Sequence, residues 1–482
     1  MLTMGLAAMD GTIVATAIPS IVRDLGGFAL FPWVFSIYLL AQAATIPVYG
    51  KLADLYGRKP VLLFGAGLFL LGSMLSGLSW SMPALIVFRG LQGIGAGAVQ
   101  PITMTVVGDL YTVEERARIQ GYISSVWGIS AIVGPALGGF LVQFASWHWI
   151  FYINVPVGAG ALAAIGLYLH ERLERRPHRI DYAGSALLVA SMILLNLDLL
   201  EGGVGWSWTS AVALGLLAAS AVLLGVFVWH ERRAAEPVLP LWVMSRRLLL
   251  TANLGSMVVG VLTIALSSFL PTFVQGVLRG TPLVAGFALG MMSLGWPLAS
   301  AFSGRLYLRI GFRTTALVGS LLTAGASLAF AALGPASTPV EAGAASFLMG
   351  LGMGLMSTSL LVAIQSAVDW NRRGVVTGGN MFMRMLGSAL GAAVFGGILN
   401  GALARRLAAA PAAVRPDLPR GLNAASLALG NVPVAQAAAE AFVRDALYVA
   451  VHAVFAGLIF VAALGLVAVL CMPVREERLA AE

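Results

Sequence analysis

The sequence predicts an all-α polytopic membrane protein, and three observations carry that reading. Of its 482 residues, 59% are hydrophobic and only 10% charged, and a mean hydropathy of +0.90 is too apolar for a soluble core of any size. Apolar runs of about 20 residues, enough to span ~30 Å of hydrocarbon at 1.5 Å per residue, recur fourteen times along the chain. Lys and Arg collect in every second connection between those runs, as they do where one membrane face retains basic loops.

The runs lie near 2–22, 31–50, 60–79, 83–107, 118–142, 149–169, 182–200, 209–229, 248–270, 283–303, 313–333, 341–365, 374–400 and 446–472. Connections after even-numbered runs carry Lys51, Arg58 and Lys59; Arg116 and Arg118; Arg172, Arg175, Arg176 and Arg179; Arg232, Arg233, Arg246 and Arg247; Arg305, Arg309 and Arg313; and Arg372 and Arg373. Short connections after odd-numbered runs hold only Arg23 and Arg279, so both termini are expected in the cytoplasm. The exception is the long outer loop at 401–445, whose five arginines are diluted by Asp417, Glu440 and Asp445. Its last residues, 434–445, read as a short helix leading into the final span.

Residues 304–313, Gly304-Arg305-Leu306-Tyr307-Leu308-Arg309-Ile310-Gly311-Phe312-Arg313, repeat the glycine and cation spacing of Gly50-Lys51-Leu52-Ala53-Asp54-Leu55-Tyr56-Gly57-Arg58-Lys59. Each copy follows the second span of its half. The chain therefore divides into a six-helix bundle over 1–170, a two-helix insertion with basic linkers over 171–245, and a second six-helix bundle over 246–482. Leu308 stands where the first copy has Asp54, so any latch made by the second copy is expected to be weaker.

Composition also excludes function classes. A single cysteine, Cys471, removes a disulfide framework, and the scattered histidines offer no metal constellation, so neither metal nor cofactor is expected. The net charge of +8 follows from topology rather than nucleic-acid binding. A membrane-embedded enzyme would need clustered acids, His or Ser on one face, and none is evident. Arg far outnumbers Lys, which suggests a GC-rich bacterium.

Two charges stand inside apolar runs. Asp10 lies in the first, where a lone carboxylate costs roughly 2.5–3.5 kcal/mol on insertion scales. Either it caps a helix start or it takes up and releases a proton as access switches sides. Arg89 lies in the fourth run, in Arg89-Gly90-Leu91-Gln92-Gly93-Ile94-Gly95-Ala96-Gly97-Ala98. Either it snorkels to the outer surface or it finds a carboxylate, water or carbonyls, which Gly90, Gly93 and Gly97 let neighbouring helices supply. The fifth run carries Gly134-Pro135-Ala136-Leu137-Gly138-Gly139, where Pro135 kinks the helix and Gly134 and Gly138 clear one face.

The order G-x-L-x-D-x-x-G-R-K at 50–59 resembles the signature between the second and third helices of the major facilitator superfamily. The stretch from Met9 to Pro19 resembles the first-helix signature of its fourteen-span drug:proton antiporters, R-x-x-Q-G-x-G-A from Arg89 resembles the family's span-four pattern associated with proton coupling, and G-P-x-x-G-G from Gly134 resembles the signature of its exporters, largely absent from its importers. Trp147-His148-Trp149-Ile150-Phe151-Tyr152-Ile153-Asn154-Val155-Pro156-Val157-Gly158 is similar to the family's sixth-span motif, with His148 where Arg is usual. The resemblance implies a major facilitator fold of two six-helix bundles plus two inserted helices. It also implies proton-coupled export of small lipophilic or drug-like molecules by rocking of the bundles, in a bacterial inner membrane and as a monomer. A dedicated exporter of a metabolite, siderophore or lipid is the alternative.

By the same resemblance Asp10 and Arg89 serve proton coupling, and Gly50, Asp54, Gly57, Arg58, Lys59 and Asp109 form a cytoplasmic gate. Arg58 is expected to meet Asp109, although Asp109 could instead cap a helix or pair with Arg116. Asp54 is expected to reach the second bundle. Tyr38, Gln42, Trp127, Asn380 and Arg384 are candidate substrate-cavity residues, with ordinary packing as the other reading. Asp198 and Glu201 are expected at a solvated boundary.

Overall fold

The computed structural model describes residues 1–26, 30, 32–171, 181–201, 206, 209–234, 236–411, 414 and 437–474. The basic linker at 172–180, with Arg172, Arg175, Arg176 and Arg179, lies outside the described residues, as do Arg415, Asp417 and Arg420 of the long connection at 401–445. Among the described residues there is no β-strand, and the order is α1 Leu2–Leu25, α2 Pro32–Tyr56, α3 Arg58–Gly77, α4 Met82–Leu110, α5 Val113–Phe144, α6 Trp149–Tyr152 and α7 Asn154–Tyr168. Then come α8 Tyr182–Glu201, α9 Ala211–Glu231, α10 Trp242–Ser245, α11 Arg247–Gly276, α12 Pro282–Ala332, α13 Pro339–Ser366, α14 Arg373–Ala408 and α15 Ala437–Leu470. The short helix expected at 434–445 is the first part of α15, which continues unbroken into the final span.

Among the described residues, eleven helical stretches are long and apolar enough to cross a membrane. One of them is α12, which is two helices joined at Gly311, and two further helices, α1 and α5, 24 and 32 residues long, cover the first and fifth apolar runs. Every one of the fourteen apolar runs thus has a helix. Helix starts follow local chemistry: Ser81 accepts from the Ala84 N–H and Ser210 from Ala213, and Thr112 with Glu115 forms a reciprocal capping box at α5.

The repeat is visible in the backbone. Gly57 (φ 94°, ψ 158°) and Gly311 (φ 83°, ψ 162°) occupy the same left-handed conformation between consecutive spans, which a residue with a Cβ rarely adopts.

Two compact units emerge. The first gathers Met1–Asn253 with Leu361–Met383, and the second Leu254–Leu360 with Arg384–Met472. In the first, α4 lies between α2 and α3 because its glycines clear both faces. A Cβ on Gly93 or Gly97 would strike α2 at the Tyr38 carbonyl or the Thr45 hydroxyl, and one on Gly95 would strike α3 at the Phe69 N–H. Gly72 answers from α3, where a Cβ would sit 2.5 Å from the Gln92 nitrogen. Helix α5 packs on α1, with Leu137, Leu141 and Val142 against the buried Ile13, Val14, Ala17 and Ile21. Gly134 and Gly138 are buried, whereas Gly139 faces open space. The α8–α9 pair packs on itself and on α2, and the Ser220 hydroxyl donates to the Ser191 carbonyl at 2.9 Å. Asp198, expected at a solvated boundary, is instead fully buried and accepts from Trp206 Nε1 at 2.9 Å, a partner eight residues on that periodicity does not reveal.

The second unit repeats the device. Gly260 meets the Arg384 carbonyl, Gly387 meets Met257 and Gly391 meets Val261, so α11 and α14 cross on small residues. Phe455 on α15 sits 5.4 Å from Phe273 and 5.3 Å from Phe330, ring centre to ring centre. Arg279–Glu440 (2.6 Å) and Arg406–Asp445 (2.8 Å) pair cations around the outer segment with its acids.

Gly72→Ala is expected to destabilise the protein by about 1–3 kcal/mol through overpacking against backbone. Gly67→Ala, which has nothing within 4 Å of its Cβ position, is the matched control, and thermal unfolding in detergent compares the two.

Candidate functional site

Helix α1 starts at Leu2, so Asp10 lies two turns inside it, beyond the orphan N–H groups that a cap would serve. It is fully buried, and so is Arg89. Arg89 therefore does not snorkel; Nη1 donates to Asp10 Oδ2 at 2.6 Å and to Gln92 Oε1 at 2.8 Å, and Nε donates to the Val34 carbonyl at 3.2 Å. Asp10 Oδ1 also accepts from Gln92 Nε2 at 2.8 Å and from Asn154 Nδ2 at 3.3 Å. Asn154 in turn bonds Ser73 Oγ at 3.0 Å, and the Ser73 hydroxyl donates to the Phe151 carbonyl at 2.9 Å. The Tyr38 ring lies under the guanidinium, 4.3 Å from its centre.

The carboxylate is thus enclosed by α1, α2, α3, α4 and the α6–α7 stretch, with one formal charge balancing the other. Arg89 Nη2, Tyr38 Oη and Asn154 Oδ1 are buried without a hydrogen-bond partner. An incompletely satisfied buried network is the kind that can rearrange when a proton or a polar ligand arrives.

A second charged network sits at the end of α2. Gly50 allows α14 to approach, since a Cβ there would lie 2.7 Å from the Gly374 carbonyl. One turn later, Asp54 accepts from the Gly374 and Val375 N–H groups at 2.9 and 2.7 Å, an anion on the exposed amides of α14's first turn. Arg58 pairs with Asp54 at 2.8 Å and Asp109 at 2.9 Å, donates to the Ala53 carbonyl, and stacks 3.8 Å from the Trp370 ring. Asp109 also holds Arg373 at 3.0 Å, while Arg116 bonds carbonyl groups at Gly108 and Tyr111 rather than Asp109. Glu171 accepts from the Arg58 and Lys59 N–H groups at 2.9 and 3.1 Å and so caps α3, and Lys59 Nζ reaches the Gly166 carbonyl at 2.7 Å. A cavity of about 150 Å³ opens beside Arg58, Asp109, His170, Glu171 and Trp370.

Of the five candidate cavity residues, only Tyr38 joins the Asp10–Arg89 network. Gln42 is buried at the crossing of α2 and α4, Trp127 is 39% exposed on α5, and Asn380 donates to Asn253 Oδ1 at 3.2 Å. Arg384 is half-buried on the part of α14 that belongs to the second unit. His148, in the place of the usual Arg, stacks on Trp147 at 3.8 Å, and Trp147 Nε1 donates to Asp24 at 2.9 Å. Slight burial pushes the His148 imidazole down, opposed by the Asp24 charge. Sequence reasoning missed Gln92, Asn154 and Ser73 as partners of Asp10, and Glu171, Trp370 and Arg373 as partners of the α2 end.

A chain of apolar helices that encloses a fully buried ion pair and ties a helix end with a further charged network has the parts a membrane transporter uses. The family model of the Major Facilitator Superfamily matches residues 1–392, and the chain belongs to that family. Multidrug resistance protein 3 of Bacillus subtilis (strain 168) is 38% identical over 402 residues, 83% of this chain and 78% of that protein. Multidrug transporter protein MdtP of the same strain is 35% identical over 399 residues, 83% and 74% of the two chains. Among solved structures, the human organic anion transporter MFSD10 (TETRAN) superposes with a TM-score of 0.63 over 98% of this chain and 97% of its own, at 16% identity, a likeness of fold.

Arg89→Ala leaves the buried Asp10 carboxylate uncompensated and is expected to cost about 3–5 kcal/mol. Adding Asp10→Asn should recover part of that loss, a non-additivity that thermal unfolding of the single and double variants measures directly.

Proposed function

We propose that the protein is a proton-coupled exporter of small, lipophilic molecules that works by alternating access, as a monomer in a bacterial inner membrane with both termini cytoplasmic. The observation that carries this reading is the enclosed Asp10 carboxylate with Arg89, Gln92 and Asn154 around it. A proton on Oδ2 and the bond from Arg89 Nη1 compete for the same oxygen, so protonation releases the guanidinium and leaves its cation to find another partner. The unmatched Tyr38 and Asn154 oxygens lie in the same network. Coupling follows when the protonated and ionised forms prefer different conformations, since a ligand with equal affinity for both shifts nothing.

The α2-end network supports a latch on the cytoplasmic side. Asp54 holds the first turn of α14 while Arg58 and Arg373 share Asp109, and access from that face requires the start of α14 to leave those groups. The copy at 304–313 has no such acid, and Leu308 is 49% exposed. The two bacterial relatives are both multidrug proteins by name, which favours a broad set of drug-like substrates.

Asp10→Asn is expected to insert and fold but to lose efflux driven by an imposed pH gradient, measured in proteoliposomes over cationic, neutral and anionic compounds. Efflux equal to that of the unmodified protein would remove Asp10 as the coupling group. Substrate-induced proton release from purified protein across the same panel distinguishes a multidrug exporter from one dedicated to a single metabolite, siderophore or lipid.

A further inference from the structure

We propose a second proton-binding site, at the base of the α8–α9 hairpin, where Asp181 and Glu231 share one proton. Asp181 immediately precedes α8; its Oδ1 accepts from the Gly184 N–H at 2.8 Å and faces His230 Nε2 at 2.8 Å. Its side chain is 9% exposed, and Oδ2 is buried with no partner. Glu231 closes α9 and is 4% exposed; Oε1 accepts from the Val238 N–H at 3.1 Å, and Oε2 is buried with no partner.

The two carboxyl groups face each other across Gly184. A Cβ on that glycine would be in contact with Asp181 Oδ2 and 2.9 Å from Glu231 Oε1. Two carboxylates that border one glycine, each largely shielded from water, cannot both keep their charge at low cost, and burial together with the Asp181 charge pushes the Glu231 carboxyl up. A proton taken from water on that face turns one of them into an O–H donor to the other, which satisfies the orphaned Asp181 oxygen and leaves a single negative charge beside His230. Among the described residues, the other charged groups nearby do not neutralise the pair. Lys51 of α2 is engaged with Glu236 of the linker at 3.9 Å, and Arg232 and Arg233 are exposed, Arg233 lying over Trp229.

The site lies on the same side as the α2-end latch, to which the Lys51–Glu236 contact connects it. Glu231 also anchors the linker that runs into α10. Leu239 and Val243 of that stretch pack where a Cβ on Gly379 would lie, at 3.4 and 3.3 Å, and Arg372 stands over Trp242 at 5.4 Å. Loss of the shared proton sets Glu231 against Asp181 and loosens the linker beside the first turns of α14, so pH on the latch side bears on how firmly the latch is seated. This does not depend on Asp10 carrying the transported proton.

Infrared difference spectra of the full-length protein in lipid, recorded while the pH is stepped, test it by the C=O stretch of protonated carboxyl groups. The expected result is a titrating band present in the unmodified protein and in Asp10→Asn, and lost in both Glu231→Gln and Asp181→Asn. A band untouched by those two substitutions, or no titrating band beyond one that Asp10→Asn removes, overturns the proposal; a bridging cation, which keeps both groups ionised, gives that second outcome. Should both substitutions prevent folding, Gly184→Ala, whose methyl group parts the two carboxyl groups, is expected to shift the band, and an unshifted band counts against the shared proton.

Discussion

The ion pair between Asp10 and Arg89 sets conditions that much of the first unit meets. A charge placed in the middle of an apolar helix has no solvent to return to, so neighbouring helices must come close enough to supply donors and a counter-charge. That closeness needs side chains out of the way. The glycines of α4 do this on two faces, Gly93 and Gly97 toward α2 and Gly95 toward α3, and Gly72 does the same from α3. The residues that look like ordinary small-residue packing are what let Asn154, Ser73 and Tyr38 come within reach of one carboxylate and one guanidinium.

The second network uses similar chemistry at a helix end. Asp54 meets the unpaired amides of α14, whose first turn carries the positive end of the helix dipole, and Arg58 balances two acids at once. Two acids, Asp54 and Asp109, are matched by two arginines, Arg58 and Arg373, so the cluster is closed electrically. Being buried, it contributes less to net stability than to fixing one arrangement, and it is costly to break by removing a single member.

How far the sequence revealed this depends on the kind of signal. A charge inside an apolar run is conspicuous, which is why Asp10 and Arg89 stand out, and motif order places Asp54, Arg58 and Asp109 near one another. Neutral polar residues give no such contrast. Thr45, Ser125, Thr251 and Thr263 are also hydroxyl residues within helices, and they bond the carbonyl four residues back in their own helix. Nothing in spacing separates them from Ser73, which reaches another helix, or from Gln92 and Asn154, which reach Asp10. Glu171 and Arg373 were hidden differently: both sit in charge-rich connections, where a count of cations explains topology and gives no reason to single out one side chain. Asp198 misled because its partner, the Trp206 indole, comes from the connection beyond the helix.

The glycines at 57 and 311 hold almost the same backbone angles although their surroundings differ, a buried arginine following one and a buried phenylalanine, its ring tilted against Tyr307, following the other. The repeated segment thus keeps the same bend in both copies, while the acid at Asp54 is replaced by Leu308 in the second. Geometry of this sort is set by a single residue lacking a side chain and survives drift easily, whereas a charge network must be inherited whole. The two copies share a bend, and among the described residues the paired acids and arginines gather beside the first.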